Sequence, residues 1–463
     1  MSATETVSSS KTVSSSKTVS SSKTVSSSES AQERGRRALL HEPPGGDPNK
    51  LTLVRALGSL VWDDKGNEYI DCTAQAWSNN LGAGDPRVVE AAIAQLREIT
   101  HVRPTFHTTA LLELADLLTA IAPNGLDRVG FTLHGSMAVE TAFKLAMRNR
   151  PGSQHIITLQ DAYHGRSLTT MAASWPHPNN VFGPLQPRFT RVPHPDLYRP
   201  RRGLTPEEDS SLCLELLQDT IDKGIDGGVA AIIYEPVQGN GGHNEFPASW
   251  HQGLRRLCDD NGILLIVDEV QTGFGRTGRM WGCEYYGIEP DMVVFGKGVG
   301  GGFPLAGVLA RAEHAQFISG DDQLTFGHFP ISIAAGLAAV RAIIDDRLAE
   351  RAAEHGVYAT KRLLAMQDRF ELIGDVRCPG LMVSIELVKD RKTKEAAPRE
   401  SARIFELAQA RGVILGESRY AGLGNLIKVK PPLDITDEQL SRALDVLEEV
   451  IGLVQAESDA GLL

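Results

Sequence analysis

Residues 263–268 read Ile-Leu-Leu-Ile-Val-Asp, an apolar run without alternation that ends on an acid. Such a run has no solvent face, so it fits a parallel strand covered on both sides, and open α/β sheets place ligands at the carboxyl ends of those strands. Met292-Val293-Val294-Phe295 repeats the pattern and leads into Gly296-Lys297-Gly298-Val299-Gly300-Gly301-Gly302-Phe303-Pro304, where glycine lets the backbone crowd a ligand. Asp268 and Lys297, 29 residues apart, thus each follow a buried strand. An aspartate able to hold a pyridinium nitrogen and a lysine able to form a Schiff base are what pyridoxal phosphate requires.

At 463 residues the chain exceeds one simple core, which favours two packed domains, and its 41% hydrophobic content supports a globular body. A net charge of −11 without a dense Lys/Arg block speaks against nucleic acid or an anionic membrane as partner and leaves small acidic or amine metabolites open. Cys72, Cys213, Cys258, Cys283 and Cys378 are scattered, with no CxxC and no Cys/His metal spacing, as expected of free thiols in a reducing cytoplasm and of a chain that binds no metal. No apolar run approaches the about 20 residues of a membrane helix, so a soluble protein is expected. The first 30 residues repeat Val-Ser-Ser-Ser-Lys-Thr from Val7, Val13 and Val19, fading at Val25. A transit peptide would also be Ser-rich and acid-poor, but the first arginine is Arg34, so a disordered tail is the expectation.

Residues 31–84 form an N-terminal segment with a hairpin signal: Ser59 to Trp62, a turn at Asp63-Asp64-Lys65-Gly66-Asn67, then Glu68 to Asp71. Over 85–345 apolar strands (Val129–Thr132, His155–Leu159, Ala230–Tyr234 and the two above) alternate with helical patterns, which implies a mostly parallel sheet flanked by helices. Residues 346–463 change to a long helix through about Gln367, strands near Val376 and over Leu381–Val388, and a closing helix from about Asp437 to Val454. This reads as a smaller α+β domain completed by the N-terminal segment. The charge run Lys389–Glu395 reads as a solvated loop.

Three further strand ends carry polar residues, and the Asp268 end carries one more. His134-Gly135-Ser136 opens a helix whose apolar face includes Val139, Ala142, Phe143 and Leu145, and N–H groups at such a start, with a serine hydroxyl, can cradle a phosphate. Tyr163 can stack on a planar cofactor, and Arg166 beside it can grip a carboxylate. Glu235, held by Pro236 and the glycines after it, can gate the crevice or balance a cation. Gln271 follows Asp268 and can donate to a ring oxygen. Singly, each has an ordinary structural reading as a helix cap, a packed tyrosine or an ion pair; the combination carries the chemistry.

In order along about Leu51 to Val454, Tyr163-His164-Gly165-Arg166, Glu235-Pro236-Val237-Gln238-Gly239, Asp268 to Gly278, Gly296-Lys297-Gly298 with Gly-Gly-Phe-Pro, Thr325-Phe326-Gly327 and Pro431-Pro432-Leu433 resemble the class III pyridoxal-phosphate aminotransferases. The resemblance implies fold type I, an α/β architecture with a large and a small domain, and a homodimer with sites at the interface. It implies that Lys297 is the Schiff-base lysine and proton shuttle and Asp268 the pyridine-nitrogen partner. Tyr163 would be the stacking residue, and Gln271 the contact to the ring hydroxyl. Gly135 and Ser136 would bind phosphate together with Thr325 from the partner subunit. The implied reaction moves an amino group from an amine or amino acid to a 2-oxo acid through pyridoxamine phosphate.

The sequence departs from the family at Leu133-His134-Gly135-Ser136-Met137-Ala138, which lacks the usual carboxylate, at Gly82-Ala83, and at His328-Phe329-Pro330. Lys428 stands where many relatives carry a carboxylate-clamping arginine. Lysine lacks the planar two-pronged donor set, so an amine donor without an α-carboxylate gains weight unless Arg166 substitutes; a Lys428–Glu235 pair opened by an acidic substrate is a second possibility. The region Leu372–Arg377 with Glu386–Glu395 is similar to amino-acid racemases and dialkylglycine decarboxylases, so racemisation or epimerisation, decarboxylation and elimination stand as the alternative reactions.

Overall fold

The computed structural model of the protein describes residues 30–40, 50–174, 188–417 and 424–463, so the serine-rich repeat falls outside the described residues. The chain divides into two units, Met1–Thr52 and Leu53–Leu463. In the first, helix Ala31–Ala38 begins at Ser30, whose hydroxyl accepts from the Glu33 N–H while the Glu33 carboxylate accepts from the Ser30 N–H.

The second unit is built on a seven-stranded sheet in the order Arg128–Thr132, Ala306–Ala310, Met292–Phe295, Leu264–Asp268, Gly228–Tyr234, Ser153–Leu159 and Phe189–Val192. Ala306–Ala310 runs antiparallel to both neighbours, and the other pairings are parallel. All five expected strands are present. Ala306–Ala310 and Phe189–Val192 are additional: Phe-Thr-Arg-Val is short and half polar, and Ala-Gly-Val-Leu-Ala, though apolar and buried, is short and rich in alanine and glycine, which strands disfavour.

Pleating explains the unbroken apolar runs. Leu265, Val267, Val293 and Phe295 pack into one core, and Leu264, Ile266, Met292 and Val294 into another on the opposite face. Helix Gly135–Asn149 covers the second core with Ala138, Val139, Ala142 and Phe143. Helices Ala248–Asn261 and Pro206–Lys223 cover the first with Trp250, Leu254, Cys213 and Leu217. Local rules set their ends: Thr205 and Glu208 form a capping box ahead of Pro206, and Gly262 closes its helix at a φ of 60°.

Two smaller sheets complete the unit. The expected hairpin forms between Leu60–Asp63 and Glu68–Asp71, its turn fixed by Asp63 accepting from the N–H groups of Lys65 and Asn67. Leu53–Leu57 joins one side and Val413–Ile414 pairs parallel with Glu68–Asp71, so distant parts of the chain share one sheet. The other sheet contains Ile373–Arg377, Val383–Asp390, Leu426–Val429 and Gly416–Glu417, with Glu395–Ala396 alongside. The charge run is therefore not a plain loop: it turns a hairpin, with Lys389 paired to Glu395 at 2.7 Å across it. The long helices span Leu348–Arg369 and Asp437–Asp459, the latter extended by polar turns in which Gln455 bonds Asp459.

After the hairpin comes a feature without a sequence signal. Ala74, Gln75, Ala76 and Trp77 all have positive φ, 46°, 51°, 60° and 62°, forming a left-handed turn of four residues with side chains. Each such residue costs about 1–2 kcal/mol relative to the right-handed form. Asp71 offsets this: one carboxylate oxygen accepts from the N–H and hydroxyl of Thr73, the other from the backbone and side-chain nitrogens of Gln75. The turn seats Trp77 beside the site described below.

Ile266→Ala, which empties a fully buried position in the central strand, is expected to destabilise the protein by about 2–5 kcal/mol, read as a lower urea midpoint with an unchanged slope.

Candidate active site

The carboxyl ends of Arg128–Thr132, Ser153–Leu159, Gly228–Tyr234, Leu264–Asp268 and Met292–Phe295 open on one cavity of 370 Å³. Gly135, Ser136, Tyr163, Glu235, Asp268, Gln271 and Lys297 all line it. Seven of the ten residues anticipated from the sequence are thus brought together.

Asp268 ends its strand with a side chain only 4% exposed. One carboxylate oxygen lies 2.7 Å from His164 Nδ1, and the other accepts from the Val270 N–H at 3.1 Å. His164 is itself buried, so its ring fixes the aspartate's orientation. The sequence reading passed over His164, although it sits inside the Tyr163–Arg166 motif, because the acid it meets lies 104 residues further along the chain.

Lys297 has a φ of 48°, a left-handed conformation disfavoured for a lysine and retained at a ligand-facing loop. Burial pushes its ammonium down to about 8, against the opposing pull of the Asp268 and Glu235 carboxylates. Near neutral pH a usable fraction is therefore the free amine, the form that attacks a carbonyl.

Helix Gly135–Asn149 starts at His134 with no side-chain cap, leaving the cavity wall at Gly135 and Ser136 lined by the first turn of a helix. Ser136 Oγ accepts from the Arg166 N–H at 3.0 Å. This packing requires Gly165, at φ 134°, because a Cβ there would stand 2.3 Å from Ser136 Oγ. Arg166 is exposed, its guanidinium 4.3 Å from the centroid of the Tyr163 ring.

Glu235 is buried, which pushes its carboxyl up, and its two oxygens accept from the N–H groups of Tyr163 at 2.9 Å and Gly239 at 2.8 Å. The anticipated Lys428–Glu235 ion pair is not formed. Lys428 Nζ donates to the Gly239 carbonyl at 2.6 Å instead, because the loop turns that oxygen towards the lysine while its amide holds the glutamate. Lys428 lies behind the cavity wall, fully buried, and burial with repulsion from Lys297 and Arg377 brings it down to about 7. Lys430, also overlooked in the sequence, donates to Gln271 Oε1 at 2.8 Å, which leaves the Gln271 amide nitrogen as its donor end. Thr325 is exposed and does not line this cavity.

Arg276 lies in the most distinctive motif but proves to be framework. Fully buried, it donates to the carbonyls of Leu381 and Pro431 and to Asn80 Oδ1, tying three segments together. Among the described residues no cluster of His, Cys, Asp or Glu could hold a metal ion.

A buried acid oriented by a histidine, a lysine with a lowered pKa and an open helix start on one cavity fit pyridoxal phosphate. The family model for class-III aminotransferases matches residues 42–451. The chain belongs to that family. This class-III aminotransferase is 36% identical to an acetylornithine aminotransferase from Methanothermobacter thermautotrophicus, over 87% of this chain and 94% of that one. It is 35% identical to an isoleucine 2-epimerase from Lentilactobacillus buchneri, over 88% and 90%. An amine transaminase from an uncultivated Pseudomonas species, solved with pyridoxal phosphate bound, superposes with a TM-score of 0.82 at 30% identity, covering 89% of this chain and 96% of that one. The fold is that of the pyridoxal-phosphate transaminases, and pyridoxal phosphate is the cofactor.

In the cofactor-free protein, competitive labelling with trace acetic anhydride, read by peptide mass spectrometry, should show Lys297 reactivity rising with pH through a midpoint near 8. Asp268→Asn removes a charge that favours the ammonium and should move that midpoint to lower pH.

Proposed function

We propose that this aminotransferase moves an amino group from a primary amine or amino acid to a 2-oxo acid, with Lys297 as the Schiff-base lysine. The observation that carries the reading is Lys297 and Asp268 on one cavity with His164 locked behind the aspartate. When bound, pyridoxal phosphate supplies an electrophilic carbon and a protonated ring that accepts the electron pair released at the substrate carbon. Asp268 would hold the proton on the ring nitrogen, and His164 would keep the carboxylate aimed. Lys297, freed when the substrate amine takes its place, would move a proton between the substrate carbon and the cofactor carbon that the lysine had held. Gly135 and Ser136 would hold the phosphate, Tyr163 would cover the ring face, and Gln271 would donate to the ring hydroxyl.

Thr325, exposed in the single chain, fits a role at the phosphate of a second subunit, so the working unit is a homodimer. Residues 31–84 and 346–463 would form the small domain around the 85–345 large domain, a division supported by the shared sheet of Glu68–Asp71 and Val413–Ile414. Five free cysteines support a cytoplasmic setting, and among the described residues no helix is long and apolar enough to cross a membrane. Because Lys428 is not among the residues lining the cavity, a donor without an α-carboxylate suits the first half of the reaction. Racemisation is the second reading, favoured by the likeness to the isoleucine 2-epimerase.

The test mixes the loaded enzyme with single amines and L- or D-amino acids, without any 2-oxo acid. Stoichiometric loss of the yellow cofactor band identifies transamination and its donor; a persistent band with the amino acid changing hand would replace it by racemisation. Lys297→Ala should lower the half-reaction rate by at least about a thousandfold, as removal of a covalent catalyst and proton carrier demands.

A further inference from the structure

Three lysine amino groups gather around one indole. Lys430 Nζ lies 5.0 Å, Lys428 Nζ 5.4 Å and Lys297 Nζ 5.7 Å from the Trp77 ring centroid. Lys297 belongs to the cofactor, but Lys428 and Lys430 have no such assignment. Both are fully buried, and among the described residues neither forms an ion pair; their hydrogen bonds go to the Gly239 carbonyl and to Gln271 Oε1. Glu235, the carboxylate that opposes their charge, is already engaged by two backbone N–H groups. Burial without a counter-anion disfavours the charged form of both amino groups, and an aromatic face is a weaker partner than a carboxylate.

The ring is also loosely tied. Its Nε1 is buried without a hydrogen-bond partner among the described residues, and it rides on the left-handed turn Ala74–Trp77. Gly416 borders both the indole and Lys428: a Cβ there would stand 3.6 Å from the indole Cζ2 and 3.3 Å from Lys428 Cβ. Gln271 and Glu235 separate this cluster from the cavity by a single layer of side chains, since Gln271 bonds Lys430 and both residues line the wall.

We infer that the Trp77 indole stands in for an anion over Lys428 and Lys430, and that the acid group of the 2-oxo acid substrate displaces the ring to bind this lysine pair. An amine donor without an acid group would leave Trp77 in place as an apolar wall. One site would thus take partners of opposite polarity by moving a ring rather than a salt bridge. The inference rests on the transamination reading. An arriving anion also relieves the burial that holds Lys428 to about 7, with Lys297, Lys430, Arg377, His243 and Glu235 as the charged or titratable groups around it.

The experiment titrates the loaded enzyme with unreactive acetate and glutarate, with acetamide and glutaramide as neutral controls, and follows tryptophan emission. The chain has five tryptophans, so Trp77→Phe supplies the background of the other four. The expected result is a saturable emission change with carboxylates only, absent in Trp77→Phe, and an affinity at least about tenfold weaker in Lys430→Met. In steady state Lys430→Met should raise KM for the 2-oxo acid about tenfold relative to KM for the amine. Emission that ignores carboxylates, a response that survives in Trp77→Phe, or equal effects on both substrates would overturn the inference. The emission readout needs no turnover, so failure of the transamination reading appears separately in the single-substrate spectra. Should Lys430→Met fold poorly, Trp77→Phe, which keeps an aromatic ring, carries the test alone.

Discussion

Apolar side chains cover both faces of the seven-stranded sheet, and the site follows from that constraint. A strand whose every residue is buried cannot hold an ionisable group in its middle without stranding a charge, so polar residues collect where the strands end. Because the Met292–Phe295, Leu264–Asp268, Gly228–Tyr234 and Ser153–Leu159 strands run parallel, their carboxyl ends share one edge. Asp268, Glu235 and the Tyr163–Arg166 loop are therefore neighbours, although a hundred residues separate the first from the last. The same burial gives the edge its chemistry, since water is displaced from around Lys297 and each nearby charge acts at short range.

Desolvation and pairing divide the buried charges into kinds. Arg377, paired with Asp375 and Glu386, keeps its charge despite burial and braces the small sheet. Glu269 is satisfied by the Gly282 and Cys283 amides and the Thr272 hydroxyl, which makes it framework although it adjoins Asp268. Among the described residues Lys297, Lys428 and Lys430 form no ion pair, and burial lowers all three. Unpaired buried cations are rare in a framework and concentrate where function uses them. The contrast separates the buried lysines at the site from Arg377 and Glu269, whose partners make them framework.

Much of this arrangement was legible in the sequence. The apolar runs identified the five principal strands and placed Asp268 and the Lys297 loop at the ends of two of them, because two-sided burial leaves a strong local mark. Short strands such as Phe189–Val192 left none: two of its four residues are a threonine and an arginine, and its pairing with Ser153–Leu159 supplies the order its own composition lacks. His164 and Lys430 were equally silent, since a histidine or lysine acquires its role only through a partner far along the chain, Asp268 in one case and Gln271 in the other.

The sequence by itself determined the fold family, the cofactor chemistry and seven of the residues that line the cavity, because these follow from local hydrophobic pattern and from motifs whose elements carry their residues with them. Tertiary structure decided the rest. Only folding could show that Glu235 is held by amides and not by Lys428, that Arg276 braces three segments, and that a left-handed turn delivers Trp77 to a pair of buried lysines. Those outcomes depend on which distant groups share a low-dielectric volume, and that volume exists only once the sheet and its covering segments have closed around it.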